Sequence, residues 1–244
     1  MNEILPGDLP TTFRWRLAGG VPPALALALP LGEAVRAAVM RAGNRMGLPH
    51  LPDALHHAGP GGLHDHAHWL PEDRDGDGRI DHVLVHAQAG LSTAMVSAFV
   101  AASTVWLTPG TTWMLQPVWL GNLRDSAEWG PARQWEAATA YVTPRWRTDR
   151  GRDKPGSDPE AQLRRELALR GMPVPVEIAW AVGVNSGTVV VASADFVVRT
   201  KCRRPPGDAW KGAPRITFAV PVAGPLAFGF GAHFGLGRLR PVSE

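Results

Sequence analysis

The chain has 244 residues, 45% of them hydrophobic, which is enough to build a core in one large domain or two small ones. Its formal net charge is +3, and its basic residues are mostly arginine, whose planar guanidinium suits phosphate; nucleic acid is therefore the expected class of partner. The single cysteine, Cys202, excludes an internal disulfide framework and a cysteine zinc site. No segment reads as a signal peptide or a membrane span, so we expect a cytoplasmic protein without a membrane partner.

The first half of the chain predicts alternating strands and helices. Residues 13–17 alternate apolar and basic side chains, which indicates a strand whose Arg14 and Arg16 share an exposed face. A helix is predicted for residues 32–45, where Arg36 lies off the apolar stripe and contacts either solvent or RNA. Further elements are predicted at residues 82–87 (strand), 91–103 (helix capped by Ser92 or Thr93), 105–107 and 113–120 (strands).

A basic segment follows and predicts a mobile arm leading into a helix. It carries the exposed arginines of a Gly/Pro/Asp-rich loop around Trp146, namely Arg145, Arg147, Arg150 and Arg152. The helix begins with an Asp158-Pro159 cap, carries Arg164 and Arg165, and ends at Gly171. Arm and helix together predict a phosphate-binding surface, with an unpartnered surface loop as the alternative. The remainder predicts strands at residues 174–182, 188–200 and 215–222.

The segment from His64 to Val83 offers two kinds of chemistry. Alternating His64, His66 and His68 would lie on one face of an extended chain, as strand-borne zinc ligands can. The loop that follows, with Asp73, Asp75 and Asp77, matches a calcium loop up to position twelve, where Leu84 stands instead of glutamate. A tight turn in which aspartates cap backbone amides explains the same residues without a cation.

Near the C-terminus, Gly229, Gly231, Gly235 and Gly237 surround His233, and Arg238 and Arg240 follow. The glycines let the backbone approach a ligand closely, so a phosphate-facing loop is predicted. It is not a nucleotide P-loop, because the Gly-Lys-Ser/Thr ending is missing.

These segments together resemble the CRISPR-associated repeat-RNA endoribonucleases of the RAMP superfamily, above all the nuclease half of the fused subunit of subtype I-G (formerly I-U) systems, and next the type IV crRNA endonuclease. The resemblance spans Phe13 to Pro241. The matching signatures, in chain order, are His64-x-His66-Ala67, Leu70-Pro71, Asp75-Gly76-Asp77-Gly78-Arg79-Ile80-Asp81-His82, Thr143-Pro144, Arg164-Arg165-Glu166-Leu167, Gly171-x-Pro173, Gly224-Pro225-Leu226 and His233-Phe234-Gly235-x-Gly237.

The resemblance implies an α+β fold of two ferredoxin-like, RRM-related units with a glycine-rich loop and a basic helical insertion. The expected division is residues 1–140, an insertion at 141–172, and residues 173–244. It also implies metal-independent cleavage of CRISPR repeat RNA, with the 2′-hydroxyl as nucleophile and no cofactor. Expected partners are the repeat hairpin, the mature crRNA and other effector subunits. With no backbone-subunit domain before Phe13, a separate nuclease is expected.

That reaction needs a base, an acid and cations at the phosphorane. We predict His233 and His66 as acid and base and Arg238 and Arg240 as phosphate stabilisers, with His68, Arg14 and Arg16 as reserves. Two rival hypotheses stay open. One is a metal-dependent hydrolase using the histidines and aspartates, and the other is a non-catalytic RNA-binding subunit.

Overall fold

Two antiparallel sheets and three α-helices organise the chain in the computed structural model, which describes residues 9–48, 66–108, 110–123 and 126–242. None of the described helices is long and apolar enough to cross a membrane. The helices are α1 (Ala28–Arg45), α2 (Thr93–Ala101) and α3 (Pro159–Leu169).

The first sheet has the strand order β2-β3-β1-β5-β4. Its strands are β1 (Thr12–Ala18), β2 (His68–Glu72), β3 (His82–His86), β4 (Thr104–Thr108) and β5 (Thr111–Gly121). β1, α1, β2, β3, α2 and β5 follow one another as in a ferredoxin-like βαββαβ unit, and β4 adds an edge strand. Phe13 and Trp15 pack against Phe99 of α2, which begins where the Ser92 hydroxyl accepts the Met95 N–H.

The second sheet repeats this order as β10-β13-β6-β15, with β14 beside β15 and β7 beside β13. Its strands are β6 (Ala132–Ala137), β7 (Tyr141–Val142), β10 (Pro175–Ala181), β13 (Lys211–Val222), β14 (Leu226–Ala227) and β15 (Arg238–Pro241). α3 connects β6 to β10, with Asp158 accepting the Ala161 N–H. No α-helix lies between β13 and β15; residues 228–237, the glycine-rich loop, occupy that connection with one short 3₁₀ turn, Ala232–Phe234. The predicted α+β fold of two ferredoxin-like units is thus confirmed.

Sheet membership differs from the three-part division expected from the sequence. β6 precedes residue 140 yet is a central strand of the second sheet, and α3 is the crossover helix of that sheet rather than part of an insertion. The long strand predicted for residues 188–200 is only β12 (Val189–Ala192), which forms a hairpin with β11 (Gly183–Ser186); a 3₁₀ turn at Ser193–Asp195 ends it. The basic arm carries two short strands, β8 (Thr148–Asp149) and β9 (Arg152–Asp153).

A buried carboxylate joins the two sheets. Glu72 at the end of β2 is 2% exposed; its Oε2 lies 2.9 Å from Arg14 Nε on β1 and its Oε1 lies 3.3 Å from Arg238 Nη1 on β15. The second Arg14 contact is Glu128, 2.8 Å away. Burial lowers the pKa of Arg238, while Glu72 opposes that shift. One carboxylate therefore compensates two buried cations at the junction of the sheets.

Candidate active site at the glycine-rich loop

Backbone hydrogen bonds hold the glycine-rich loop in one conformation. The Phe230 N–H donates to the Val142 carbonyl (2.8 Å), and the Gly237 N–H donates to the Ala140 carbonyl (2.8 Å). The Thr139 hydroxyl donates to the Gly235 carbonyl (2.6 Å). Because each contact is to β7 or to the segment before it, the loop is fixed to the second sheet.

The same loop packs tightly on the first unit. Gly235 has φ +91°, and a Cβ at this position would collide with the Pro71 ring of β2. A Cβ on Gly32 of α1 would meet the Phe234 carbonyl oxygen at 2.7 Å. Only glycine permits these approaches, so the glycines press the loop against both β2 and α1.

A cluster of three histidines forms where the loop meets β2. The ring of His233 lies with its centroid 4.4 Å from that of His68, with the planes at 90°, and 5.8 Å from that of His66, with the planes at 72°. All three side chains are half-buried. The two predicted acid and base residues, His233 and His66, are therefore brought together with the reserve His68. His64 lies outside the described residues.

A buried glutamate on α3 fixes the start of the loop. Glu166 Oε2 accepts the Gly229 N–H at 2.8 Å. Burial raises the pKa of Glu166, while the Gly229 hydrogen bond and the Arg170 charge oppose the shift. The Arg-Arg-Glu-Leu signature thus contributes a loop anchor as well as surface cations.

The two arginines after the loop do not face it as predicted. Arg238 is 6% exposed and is paired with Glu72 in the sheet junction, so the expected role of an accessible phosphate stabiliser does not fit its position. Arg240 is half-buried and donates through Nε and Nη2 to Glu136 Oε1 (2.9 and 2.7 Å) and through Nη2 to the Asn185 carbonyl (3.0 Å). Sheet alternation explains both: the two side chains share the face of β15 that the neighbouring strands and the first sheet cover.

The cations beside the histidine cluster are different ones. Arg203 Nε lies 3.0 Å from Glu33 Oε1 of α1, and its guanidinium lies 4.3 Å from the Phe234 ring centroid. Arg36, one turn after Glu33, is half-buried; burial, and then the charge of Arg203, lowers its pKa. The sequence pattern indicated Arg36 as an RNA contact but gave no sign of Arg203, although Lys201, Arg203 and Arg204 are close together in the chain.

The basic arm presents several predicted cations to solvent. Arg145, Arg150 and Arg152 are exposed, and Trp146 is 56% exposed. The base of the arm is fixed, because Asp208 accepts the N–H groups of Arg147 (2.9 Å) and Thr148 (2.7 Å).

The remaining predicted RNA-binding arginines differ in availability. Arg14 is 6% exposed, which corrects the expectation that it lies on an open face, because the second sheet covers that part of β1. Arg16 and Arg165 are exposed. Arg164 is half-buried, with Nε 2.8 Å from Glu160 and Nη1 donating to the Pro175 carbonyl at 3.2 Å.

The aspartate loop follows β2 at its other end. Asp73 accepts the N–H groups of Gly76, Asp77 and Gly78 at 2.7–3.2 Å, and it also accepts the Ser186 hydroxyl. Within the described part of the chain, Asp73, Asp75 and Asp77 are the trio whose ligand atoms lie within 4.8 Å of one another. Five residues at about 3.3 Å each separate Asp73 from His68 by roughly 16 Å. A single metal site combining histidines and aspartates, as the rival hypothesis requires, does not fit this geometry.

No protein-family model matches the chain, and no curated protein matches its sequence. Three solved structures are similar in shape. They are a Cas6 product complex (TM-score 0.44, 13% identity, covering 96% of this chain and 99% of that one), a Cas6-related protein from Pyrococcus furiosus (0.46, 9%, 96% and 99%) and a RAMP protein binding different RNA substrates (0.43, 10%, 96% and 100%). The two ferredoxin-like units are established by the strand orders given above and not by these neighbours.

Proposed function

We propose that the chain is an endoribonuclease that cleaves CRISPR repeat RNA by metal-independent attack of a 2′-hydroxyl, and that it stays on the mature crRNA as part of an effector complex. The observation that carries the proposal is the histidine cluster. His66, His68 and His233 come from opposite ends of the sequence, and they meet beside a glycine-rich loop that is packed on both units. The sequence signatures of the RAMP endoribonucleases coincide with these elements.

The proposed chemistry divides the three imidazoles by their spacing. A base must take the 2′-proton while an acid protonates the departing 5′-oxygen on the other side of the phosphorus. His66 and His233, with centroids 5.8 Å apart, are the acid and base pair of the proposal. His68 contacts the His233 ring directly and holds its orientation. Imidazole serves both roles near neutral pH because its pKa lies near 6.5 in water.

RNA binding is assigned to the exposed cations of the arm and of α3. Arg145, Arg150, Arg152 and Arg165 are exposed, and phosphate contacts of this kind suit an A-form hairpin recognised by shape. Trp146 lies among them, where its ring can stack on an unpaired base.

The decisive experiment uses a repeat RNA with one 2′-deoxy nucleotide at the cut site. The proposal requires that this RNA binds as tightly as the all-ribo RNA and is not cut. Binding of the all-ribo repeat without any cleavage would instead establish the non-catalytic subunit.

A second experiment separates the proposal from the metal-dependent hydrolase. Cleavage is measured in excess chelator and again after adding zinc or calcium. Cleavage that persists in chelator supports the proposal, whereas activity lost in chelator and restored by either ion overturns it.

A further inference from the structure

Two guanidinium groups share one carboxylate beside the histidine cluster. Glu33 and Arg36 lie one turn apart on α1, and Arg203 reaches the same place from the segment after β12, with its Nε 3.0 Å from Glu33 Oε1. The side chains of Arg203 and Glu33 are 28% and 18% exposed. Arg36 is electrostatically coupled to both.

The charges at this place do not balance. Two cations face one carboxylate, which leaves an excess positive charge in a partly buried setting, where solvent screens it less than on an open surface. Like charges held together in this way repel each other unless an anion lies between them. The place is also fixed, because the Arg203 guanidinium packs on the ring of Phe234, the residue after His233.

We propose that Arg36 and Arg203 form an anion site that binds a phosphate group next to the histidine cluster. This inference rests on the proposed function for its natural ligand, a backbone phosphate of the RNA adjacent to the one that is cleaved. Arg203 is thereby a specific phosphate-binding residue, and Glu33 holds both guanidiniums in position while competing with the anion. The site supplies the cation that the buried Arg238 does not.

The first test uses inorganic pyrophosphate and no RNA. Calorimetric titration of the whole protein is expected to show binding that Arg203→Gln weakens by about tenfold or more, since charge-assisted hydrogen bonds are lost. The matched control is Arg199→Gln, a replacement in the same segment, which should bind pyrophosphate as the wild type does. No pyrophosphate binding by the wild type, or equal binding by Arg203→Gln, would overturn the site.

Glu33→Gln distinguishes an anion site from an ordinary salt bridge. Removing the competing carboxylate should strengthen pyrophosphate binding several-fold, because the two guanidiniums then turn to the anion. If Arg203 serves only to fix α1 through Glu33, the same change weakens the site, and the inference fails. Arg203→Lys keeps the charge and should recover part of the binding, which separates loss of the site from loss of the fold.

A third test connects the anion site to RNA. Repeat RNAs carry one uncharged methylphosphonate at successive positions around the cut. In the wild type one position should slow cleavage, and in Arg203→Gln that penalty should disappear, whereas Arg199→Gln should keep it. A penalty unchanged in Arg203→Gln contradicts the RNA assignment. If the wild type binds pyrophosphate through Arg203 but never cuts repeat RNA, the proposed function fails and the anion site stands.

Discussion

The imidazole rings of His68 and His233 lie edge to face with centroids 4.4 Å apart, although one belongs to an edge strand of the first sheet and the other to the last loop of the second. The contact is held from both sides. β2 fixes His68 by its pairing with β3, and hydrogen bonds to residues 139–142 fix the loop that carries His233. The candidate chemistry therefore depends on how the two sheets are placed.

Replacing His66 or His233 by alanine should reduce the single-turnover cleavage rate of repeat RNA by about 10²-fold or more, because each removes a proton-transfer group. RNA affinity should change little, because the arm supplies most phosphate contacts. His82→Gln is the matched control: His82 lies on β3 beside Asp81, at the end remote from the cluster, and its replacement should leave the rate unchanged. Equal rates for wild type and His233→Ala would remove His233 from the mechanism.

Gly235→Ala should disable cleavage through the loop. The added methyl collides with Pro71 and must also adopt a φ of +91°, so the loop moves away from β2 and carries His233 with it. Gly110→Ala provides the control, since Gly110 has a similar φ of +86° and an added methyl there would meet no atom within 4 Å. Both variants should lose about 1 kcal/mol of stability from backbone strain, but only Gly235→Ala should lose activity.

Glu72→Gln should lower the free energy of unfolding by about 3–5 kcal/mol, because it leaves Arg14 and Arg238 buried without their shared carboxylate. Glu128→Gln removes a carboxylate that is 43% exposed and should cost no more than about 1 kcal/mol. Chemical denaturation of the three proteins measures the difference. Equal midpoints for both variants would show that the junction does not depend on Glu72.

Arm arginines should act on affinity and not on the chemical step. Replacing Arg150 and Arg152 by glutamine should weaken repeat-RNA binding and reduce the slope of log K against log salt by roughly one for each phosphate that the variant no longer neutralises. Arg164→Gln, whose guanidinium is already held by Glu160 and the Pro175 carbonyl, should change that slope less. Binding measured over a series of salt concentrations tests this, and an unchanged slope in the double variant would place the RNA elsewhere.

Stability should fall with acidification because of His86. Burial lowers its pKa from the usual 6.5 to about 4, so the unfolded chain binds a proton that the folded chain rejects between these values. The stability contributed by the neutral imidazole is complete above pH 6.5 and is lost as the pH falls toward 4, by roughly 3 kcal/mol at most. Denaturation at about pH 7 and about pH 4.5 should show a smaller pH dependence for His86→Gln than for the wild type. The same dependence in both proteins would assign the acid sensitivity to other groups.

Elements with a strong local signal were predictable. The cap at Asp158 and the turn at Gly171 predicted α3 closely, and Ser92 marked the start of α2. β6 was not predictable because its sequence, Ala-Arg-Gln-Trp-Glu-Ala, has few apolar residues; its polar face pairs within the sheet, as Glu136 does with Arg240. Such a strand is recognisable only from its neighbours.

The candidate site divides in the same way. The alternation around Arg14 and Arg238 shows which side chains share a face, but not that the other sheet covers that face. Arg203 belongs to an irregular segment, so no periodicity assigns it to α1. In contrast, His66 and His233 stood out by residue type, because imidazoles among glycines have little use as packing groups.

The division of the histidine cluster between the two sheets has a consequence during synthesis. A ribosome completes the first sheet, with His66 and His68, long before it reaches His233. Under the proposed function the growing chain is therefore a latent nuclease, which acquires its third imidazole only when the last loop docks on β2. Cellular RNA near the ribosome is spared until folding is complete.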